Sequence, residues 1–88
     1  MNDTIDNRRR RAAWRAAHRG TKELDLLIGR YADAHLDQMD ESALARFESF
    51  LAVNDPELQL WLLAPQPTGD GEFADLVVDV RRFHGLSA

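Results

Sequence analysis

Apolar residues recur every three or four positions along most of the chain, which is the spacing of one face of an α-helix. The clearest stripe consists of Leu24, Leu27, Ile28 and Tyr31, continued by His35. No stretch alternates polar and apolar residues at the period of two that a half-buried strand requires. The pattern therefore predicts an all-α protein, a compact bundle of about five short helices.

Helix-capping residues indicate where the first two helices begin and end. Gly20 can take the left-handed backbone conformation that closes a helix, so the first helix is predicted over about residues 6–19. Thr21 is a preferred N-cap, which predicts that the second helix starts directly after it. The side chains expected to pack the first helix against the bundle are Ala12, Ala13, Ala16, Ala17 and Trp14.

Three later helix starts are predicted in the same way. Asp40 is expected to cap the third helix, with Met39 placed to fold back onto that helix as a hydrophobic staple. Asp55 is expected to cap the fourth helix, with Pro56 at its first position. A loop rich in proline and glycine follows, and Asp70 is predicted to cap the last helix. The residues predicted to be buried by these helices are Leu44, Phe47, Phe50, Leu51, Leu58, Trp61, Leu62, Phe73, Leu76, Val77, Val80 and Phe83.

The composition limits what the protein can do. The chain has 88 residues, of which 44% are hydrophobic and 30% charged, and it contains no cysteine. We expect one monomeric domain, with a flexible basic N-terminus over about residues 1–7 and the bundle over about residues 8–84. Such a domain has little room for a buried substrate cavity, and it lacks a thiol nucleophile and thiolate ligands. No enzymatic activity is therefore expected.

No membrane segment is predicted. The longest unbroken apolar stretch, residues 60–65, is far shorter than the roughly 20 residues that a membrane-spanning helix needs. We therefore expect a cytoplasmic protein without direct membrane insertion.

Candidate chemistry is sparse. His18, His35 and His84 occur singly, whereas a metal site needs several ligands at close and regular spacing. The carboxylates fall where helix caps and outer helix faces are expected, so no general acid and base pair is indicated. No glycine-rich turn follows a strand, which argues against a nucleotide site. We expect neither a bound metal nor catalytic residues.

Positive charge is concentrated at the start of the chain. The net charge is +5 over residues 1–22 and −9 over the remainder. Arg8, Arg11, Arg15 and Arg19 are three or four residues apart, so they share one helix face that could bind carboxylates or phosphates. The same face could also be merely solvated. The acidic remainder and the few aromatic residues argue against nucleic acid as the partner.

The junction between the first two helices carries a recognisable motif. Residues 19–25 read RGTKELD, which resembles the RGxxE signature of the succinate dehydrogenase assembly factor family, the flavinators. The resemblance covers about residues 8–83, with an arginine-rich first helix, FESFL at residues 47–51 and DPELQLWL at residues 55–62. Two positions depart from the family pattern: His18 stands where a basic residue is common, and Thr21 where methionine is common.

The resemblance implies a bundle of about five helices that promotes covalent attachment of FAD to a histidine of a client. The client is the flavoprotein subunit of succinate dehydrogenase, and in some members that of fumarate reductase. The FAD belongs to the client, and the assembly factor itself binds no cofactor stably. Such a protein would act by holding the client in a reactive conformation, not by chemistry of its own.

The resemblance also implies a partner-binding surface at the motif. Arg19 would offer a forked donor to a client carboxylate or carbonyl, Gly20 would allow close backbone approach, and Glu23 would bind a client cation or orient Arg19. Alternatively, Arg19 and Glu23 could pair with each other while Gly20 only ends a helix. The remaining residues assigned to this surface are Arg8, Arg11, Arg15, Trp14 and Asp25.

Two functions from other classes stay open at this point. The charge asymmetry would also suit a regulatory protein-binding module of antitoxin type with an acidic target. A small flavin-binding protein is the third hypothesis, which a flavin fluorescence titration of the isolated chain would test.

Overall fold

The fold is known from a computed structural model that describes residues 4–64 and 71–86. Over these residues the chain forms α-helices joined by short turns and no strand, which confirms the predicted all-α bundle. A 3₁₀ turn at Leu36–Gln38, which the sequence analysis did not predict, follows the second helix. The helices are α1 (Ile5–Ala17), α2 (Lys22–His35), α3 (Glu41–Leu51), α4 (Asp55–Leu63) and α5 (Ala74–Phe83).

Side chains cap the first turns of α1 to α4. Thr4, Thr21 and Asp40 each accept a hydrogen bond from the backbone N–H three residues later, which confirms the predicted caps of α2 and α3. The predicted cap of α4 was wrong, because Asn54 Oδ1 accepts the Glu57 N–H at 3.1 Å and Asp55 is already helical. The cap that was predicted for α5, Asp70, lies outside the described residues.

The first helix differs from its prediction at both ends. It begins at Ile5, one residue earlier than predicted. It ends at Ala17, two residues earlier than predicted. Gly20 does have the predicted positive φ, at +105°. The chain therefore needs residues 18–21 to reverse direction between α1 and α2.

The core consists of the predicted apolar stripes. The predicted residues of α2, α3 and α4 are buried except His35, which is half-buried, and so are four of the five predicted in and before α5. Phe83 is the exception at 45% exposed, because it is the last residue of α5; its ring still contacts that of Tyr31 at a centroid distance of 5.8 Å.

Trp14 was expected to pack against the bundle and instead is 64% exposed. Ala12 and Ala16 are the fully buried residues of α1, and Trp14 is two positions from each of them, which places it on the opposite side of the helix. The inner face of α1 therefore consists of small residues.

Small residues let α1 and α2 pack closely. Gly29 is buried, and a Cβ atom at this position would lie 3.2 Å from the Cα atom of Ala17. This close contact sets the last residue of α1 against the middle of α2. Within the described part of the chain, no helix has the length and apolar character needed to cross a membrane.

Candidate functional site

The junction between α1 and α2 combines an exposed residue, Gly20, with a half-buried neighbour, Arg19. Gly20 is solvent-exposed, and its φ of +105° is a conformation that side-chain-bearing residues rarely adopt. Arg19, directly before it, is half-buried. Thr21 ends the junction by capping α2 through the Leu24 N–H at 3.2 Å.

The side chain of Arg19 points into the protein, where the turn between α3 and α4 supplies its acceptors. Nη1 donates to the Leu51 carbonyl at 2.6 Å and Nη2 to the Val53 carbonyl at 2.9 Å. Nε donates to Asp55 Oδ1 at 3.0 Å, and Nη2 lies 2.9 Å from the same oxygen. The fork that the sequence analysis assigned to a client is therefore occupied by acceptors of the protein itself.

Asp25 also supports the junction. Its Oδ1 accepts a hydrogen bond from the backbone N–H of Arg19. Asp25 lies in the first turn of α2, where a carboxylate interacts favourably with the helix dipole. This residue of the predicted surface thus holds the backbone in place from within, and it is half-buried.

Glu23 is exposed and lies on the outer side of the junction. Arg19 pairs with Asp55 and not with Glu23, so the suggested Arg19–Glu23 ion pair is not formed. Over residues 4–64 and 71–86, Glu23 has no ion pair. Its carboxylate is available to a cation from outside.

An apolar depression adjoins Glu23. Residues of α4 line its other side, and two of them, Leu60 and Leu63, are 56% and 44% exposed. Isolated exposed leucines are ordinary on protein surfaces. Here they line the same depression as Glu23, whose carboxylate has no ion pair within the described residues.

The arginines of α1 do not act as one face. Arg8 is turned towards α3, where Nη2 lies 2.7 Å from Glu48 Oε1 and Nε 3.2 Å from Oε2. Arg11 and Arg15 are exposed and border a small depression that Glu48 also lines. The cationic surface near the junction is thus formed by Arg11 and Arg15, while Arg8 joins α1 to α3.

Trp14 and His18 form an exposed aromatic pair beside the junction. Their rings are stacked at a centroid distance of 4.3 Å and an interplanar angle of 13°. Nδ1 of His18 donates to the Trp14 carbonyl at 2.7 Å, since a carbonyl oxygen can only accept. This hydrogen bond holds the His18 ring against that of Trp14 at the C-terminal end of α1, where the pair is exposed to solvent.

Asp55 is the residue of this site that the sequence analysis missed. It was assigned to the cap of α4 because aspartate before proline is a common helix start. The available signal was the pair Asn54 and Asp55, two cap-type residues of which only one can serve as the cap. Asn54 takes that role, and the carboxylate of Asp55 is then free to pair with Arg19.

The histidines make internal contacts. His18, His35 and His84 each have a ring nitrogen within 2.9 Å of a backbone carbonyl oxygen, those of Trp14, Tyr31 and Leu27 respectively. No group of three or more potential metal ligands occurs within residues 4–64 and 71–86.

Comparison with known proteins adds the family. The family profile of Sdh5, described as the flavinator of succinate dehydrogenase, matches residues 10–84. A protein of Acetobacter pasteurianus named FAD assembly factor SdhE is 45% identical over 65 residues, which are 74% of this chain and 60% of that protein. A protein of the same name from Legionella pneumophila (strain Paris) is 33% identical over 78 residues, 88% of this chain and 96% of the relative.

A third relative is longer. The mitochondrial succinate dehydrogenase assembly factor 2 of Aspergillus flavus is 30% identical over 73 residues, which are 83% of this chain but 25% of the relative. The chain thus spans less than two thirds of the Acetobacter protein and a quarter of the Aspergillus protein. Because the family profile covers most of the chain, the protein belongs to the Sdh5 family, the flavinators of succinate dehydrogenase.

Proposed function

We propose that the protein is an FAD assembly factor that binds the flavoprotein subunit of succinate dehydrogenase and promotes its covalent flavinylation. Membership of the flavinator family and relatives named FAD assembly factor support this function. The observation that carries the proposal is the exposed pair Gly20 and Glu23, held on a backbone that the protein fixes from within. A fumarate reductase flavoprotein is a second client of the same class.

The protein contributes binding and not covalent chemistry. It contains no cysteine. The bond to the flavin forms inside the client, between the client's own histidine and its own FAD. A protein that binds the reactive client conformation more tightly than the others raises the population of that conformation. Alignment of the two reacting groups then accelerates the step.

The exposed groups at the junction suggest how the client is bound. Gly20 has no side chain, so a client backbone can approach closely at this point. The unpaired carboxylate of Glu23 suits a basic client group. Trp14 provides a rigid aromatic surface of the kind that anchors protein interfaces, and Arg11 and Arg15 suit acidic client residues. In this proposal the factor acts as a monomer in the cytoplasm, without bound metal or stably bound FAD.

Co-expression with a client tests the proposed function. The flavoprotein subunit is expressed with and without this protein in a host that lacks its own flavinator. Covalent flavin is then read as in-gel fluorescence of the denatured subunit. The proposal predicts a strong fluorescent band only with the protein present. A band of equal intensity in both cultures would contradict it.

The alternative of a regulatory module of antitoxin type has no support among the relatives. The test above separates the two functions, because an antitoxin-like module would leave the flavin content of the client unchanged.

A further inference from the structure

We infer that Arg19 is a positioning residue whose counter-ion is Asp55, and that the pair holds Gly20 and Glu23 in place for the client. The inference rests on the proposed function and deepens it. It assigns different roles to residues of one motif: Arg19 faces inward and fixes the junction, while Gly20 and Glu23 face outward and meet the partner.

The guanidinium of Arg19 is hydrogen-bonded within the protein. Its three nitrogens all donate within the protein, to the Leu51 and Val53 carbonyls and to Asp55, and its side chain is 11% exposed. A bidentate contact to a client carboxylate needs two neighbouring N–H groups that point outward. Arg19 could offer them only after giving up at least one of these internal contacts.

Arg19 also binds a backbone carbonyl at the end of α3. The last carbonyls of a helix have no partner within that helix. Leu51 is the last residue of α3, and its carbonyl accepts from Arg19 Nη1. A cation at this position also interacts favourably with the negative end of the helix dipole. Withdrawing Arg19 would leave the Leu51 carbonyl without this hydrogen bond.

The Asp55 carboxylate is close to both Arg19 and Gly20. Oδ1 binds Arg19, whereas Oδ2 is directed towards the junction and would lie 3.7 Å from a Cβ atom at Gly20. Asp55 therefore holds the motif from the α4 side through the side chain of Arg19. Asp25 holds the same backbone from the α2 side through the Arg19 N–H. The junction is thereby tied to α2, to the end of α3 and to the start of α4.

The two possible roles of Arg19 predict opposite effects of Asp55→Asn. If Arg19 binds the client, removal of the competing Asp55 charge frees the guanidinium, and client affinity stays the same or increases. If Arg19 positions the junction, Asp55→Asn weakens the Arg19–Asp55 pair, which we call the clamp. Affinity for the client then decreases, although no side chain that contacts the client has been changed. The sign of the change in Kd therefore distinguishes the two roles.

Asp75→Asn is the matched control. Asp75 also lies in the first turn of a helix and also pairs with an arginine, Arg46, at 3.5 Å, but on α5. Purified flavoprotein subunit is titrated with wild-type protein and with each variant, at a temperature where circular dichroism shows all three to be folded. We expect Asp55→Asn to raise Kd about tenfold or more, and Asp75→Asn to leave it within about twofold. An unchanged or lower Kd for Asp55→Asn would overturn the inference.

A double variant tests whether the two residues act together. Arg19→Lys keeps the charge but loses the fork that reaches three acceptors. If both substitutions disrupt the same clamp, the Kd of the double variant for the client is no higher than that of the single variant with the higher Kd. Multiplicative losses in Kd would show that Arg19 acts on the client separately from Asp55, against the inference.

Hydrogen exchange tests the clamp without any client. Amide exchange of Arg19, Leu24 and Asp25, whose N–H groups are hydrogen-bonded at the junction, is compared among the wild type, Asp55→Asn and Asp75→Asn. We expect exchange to become at least about tenfold faster in Asp55→Asn only. Equal exchange in all three would refute the clamp. A further outcome is that exchange responds as expected while the wild-type protein binds no flavoprotein subunit. That result would support the clamp as a structural feature. It would contradict the proposed function, and with it the positioning role of Arg19.

Discussion

Oδ1 of Asp55 lies 2.9 Å from Nη2 of Arg19, although the two residues are 36 positions apart in the sequence. The contact joins the α1–α2 junction to the start of α4, so the exposed residues of the motif stand on a fixed framework. An interface whose groups are already ordered loses less conformational entropy on binding.

Glu23→Gln should abolish assistance without affecting stability. Glu23 is exposed and unpaired within the described residues, so its neutralisation should change the free energy of unfolding by less than about 0.5 kcal/mol. Covalent flavin on the co-expressed client should fall sharply, because the carboxylate that meets the client cation is lost. Glu57→Gln, at another exposed carboxylate in the first turn of α4, is the control. Equal losses in both variants would indicate a general effect of negative charge.

Gly20→Ala should reduce both stability and client affinity, and Gly85→Ala separates the two effects. Both glycines have positive φ, at +105° and +70°, and neither position is sterically crowded. Backbone strain should therefore cost each variant about 1–2 kcal/mol of unfolding free energy. Only Gly20→Ala should also weaken client binding. If Gly85→Ala weakens it equally, loss of fold and not the motif explains the defect.

Trp61→Ala should strongly destabilise the domain. Trp61 is buried in α4, and its ring lies 6.2 Å from that of Phe73. Truncation of such a ring costs about 3–5 kcal/mol, which is a large part of the stability of a small domain. Leu60→Ala, at the adjacent exposed position, should cost less than about 1 kcal/mol. Chemical denaturation of both variants checks the difference, and similar midpoints would place Trp61 outside the core.

Stability should fall as pH rises from about 10 to 12, through Tyr31. Burial, followed by the nearby charge and hydrogen bond of Asp79, raises the pKa of Tyr31 from its ordinary value of 10.0 to about 12. Between these values the folded protein holds the phenolic proton that the unfolded chain has released. The folded state therefore loses stability as pH increases across this window.

Tyr31 is the one tyrosine of the sequence, so tyrosinate absorbance reports on it alone. The absorbance should titrate near pH 12 in the folded protein and near pH 10 in denaturant. Tyr31→Phe should show a smaller loss of thermal stability between pH 10 and 12. A folded-state titration near pH 10 would contradict the predicted shift.

The sequence predicts the helices well because their signals are local. Thr21 and Asp40 are each followed by a helical apolar stripe, and both cap the expected helices. Trp14 was misplaced because alanines suffice to line the inner face of α1, and apolar character alone does not indicate which face an aromatic residue occupies. Asp55 was misplaced because Asn54, also a good cap, precedes it.

The interior half of the site could not be predicted from spacing. Arg19 is four residues from Glu23, so local spacing suggested this partner, while the actual acceptors lie at residues 51, 53 and 55. These contacts depend on how the α3–α4 turn packs beneath the junction. The outward half, Gly20 and Glu23, could be proposed from the sequence because the motif is short and continuous.

The proposed flavinator function is tested most directly by an initial rate. The rate is that of covalent flavinylation of purified apo flavoprotein subunit with added FAD. We predict that the rate rises with the concentration of this protein and saturates near one equivalent. The Glu23→Gln variant should give little increase, while Glu57→Gln should match the wild type. An equal rate with and without a saturating amount of the protein would contradict its role as a flavinator.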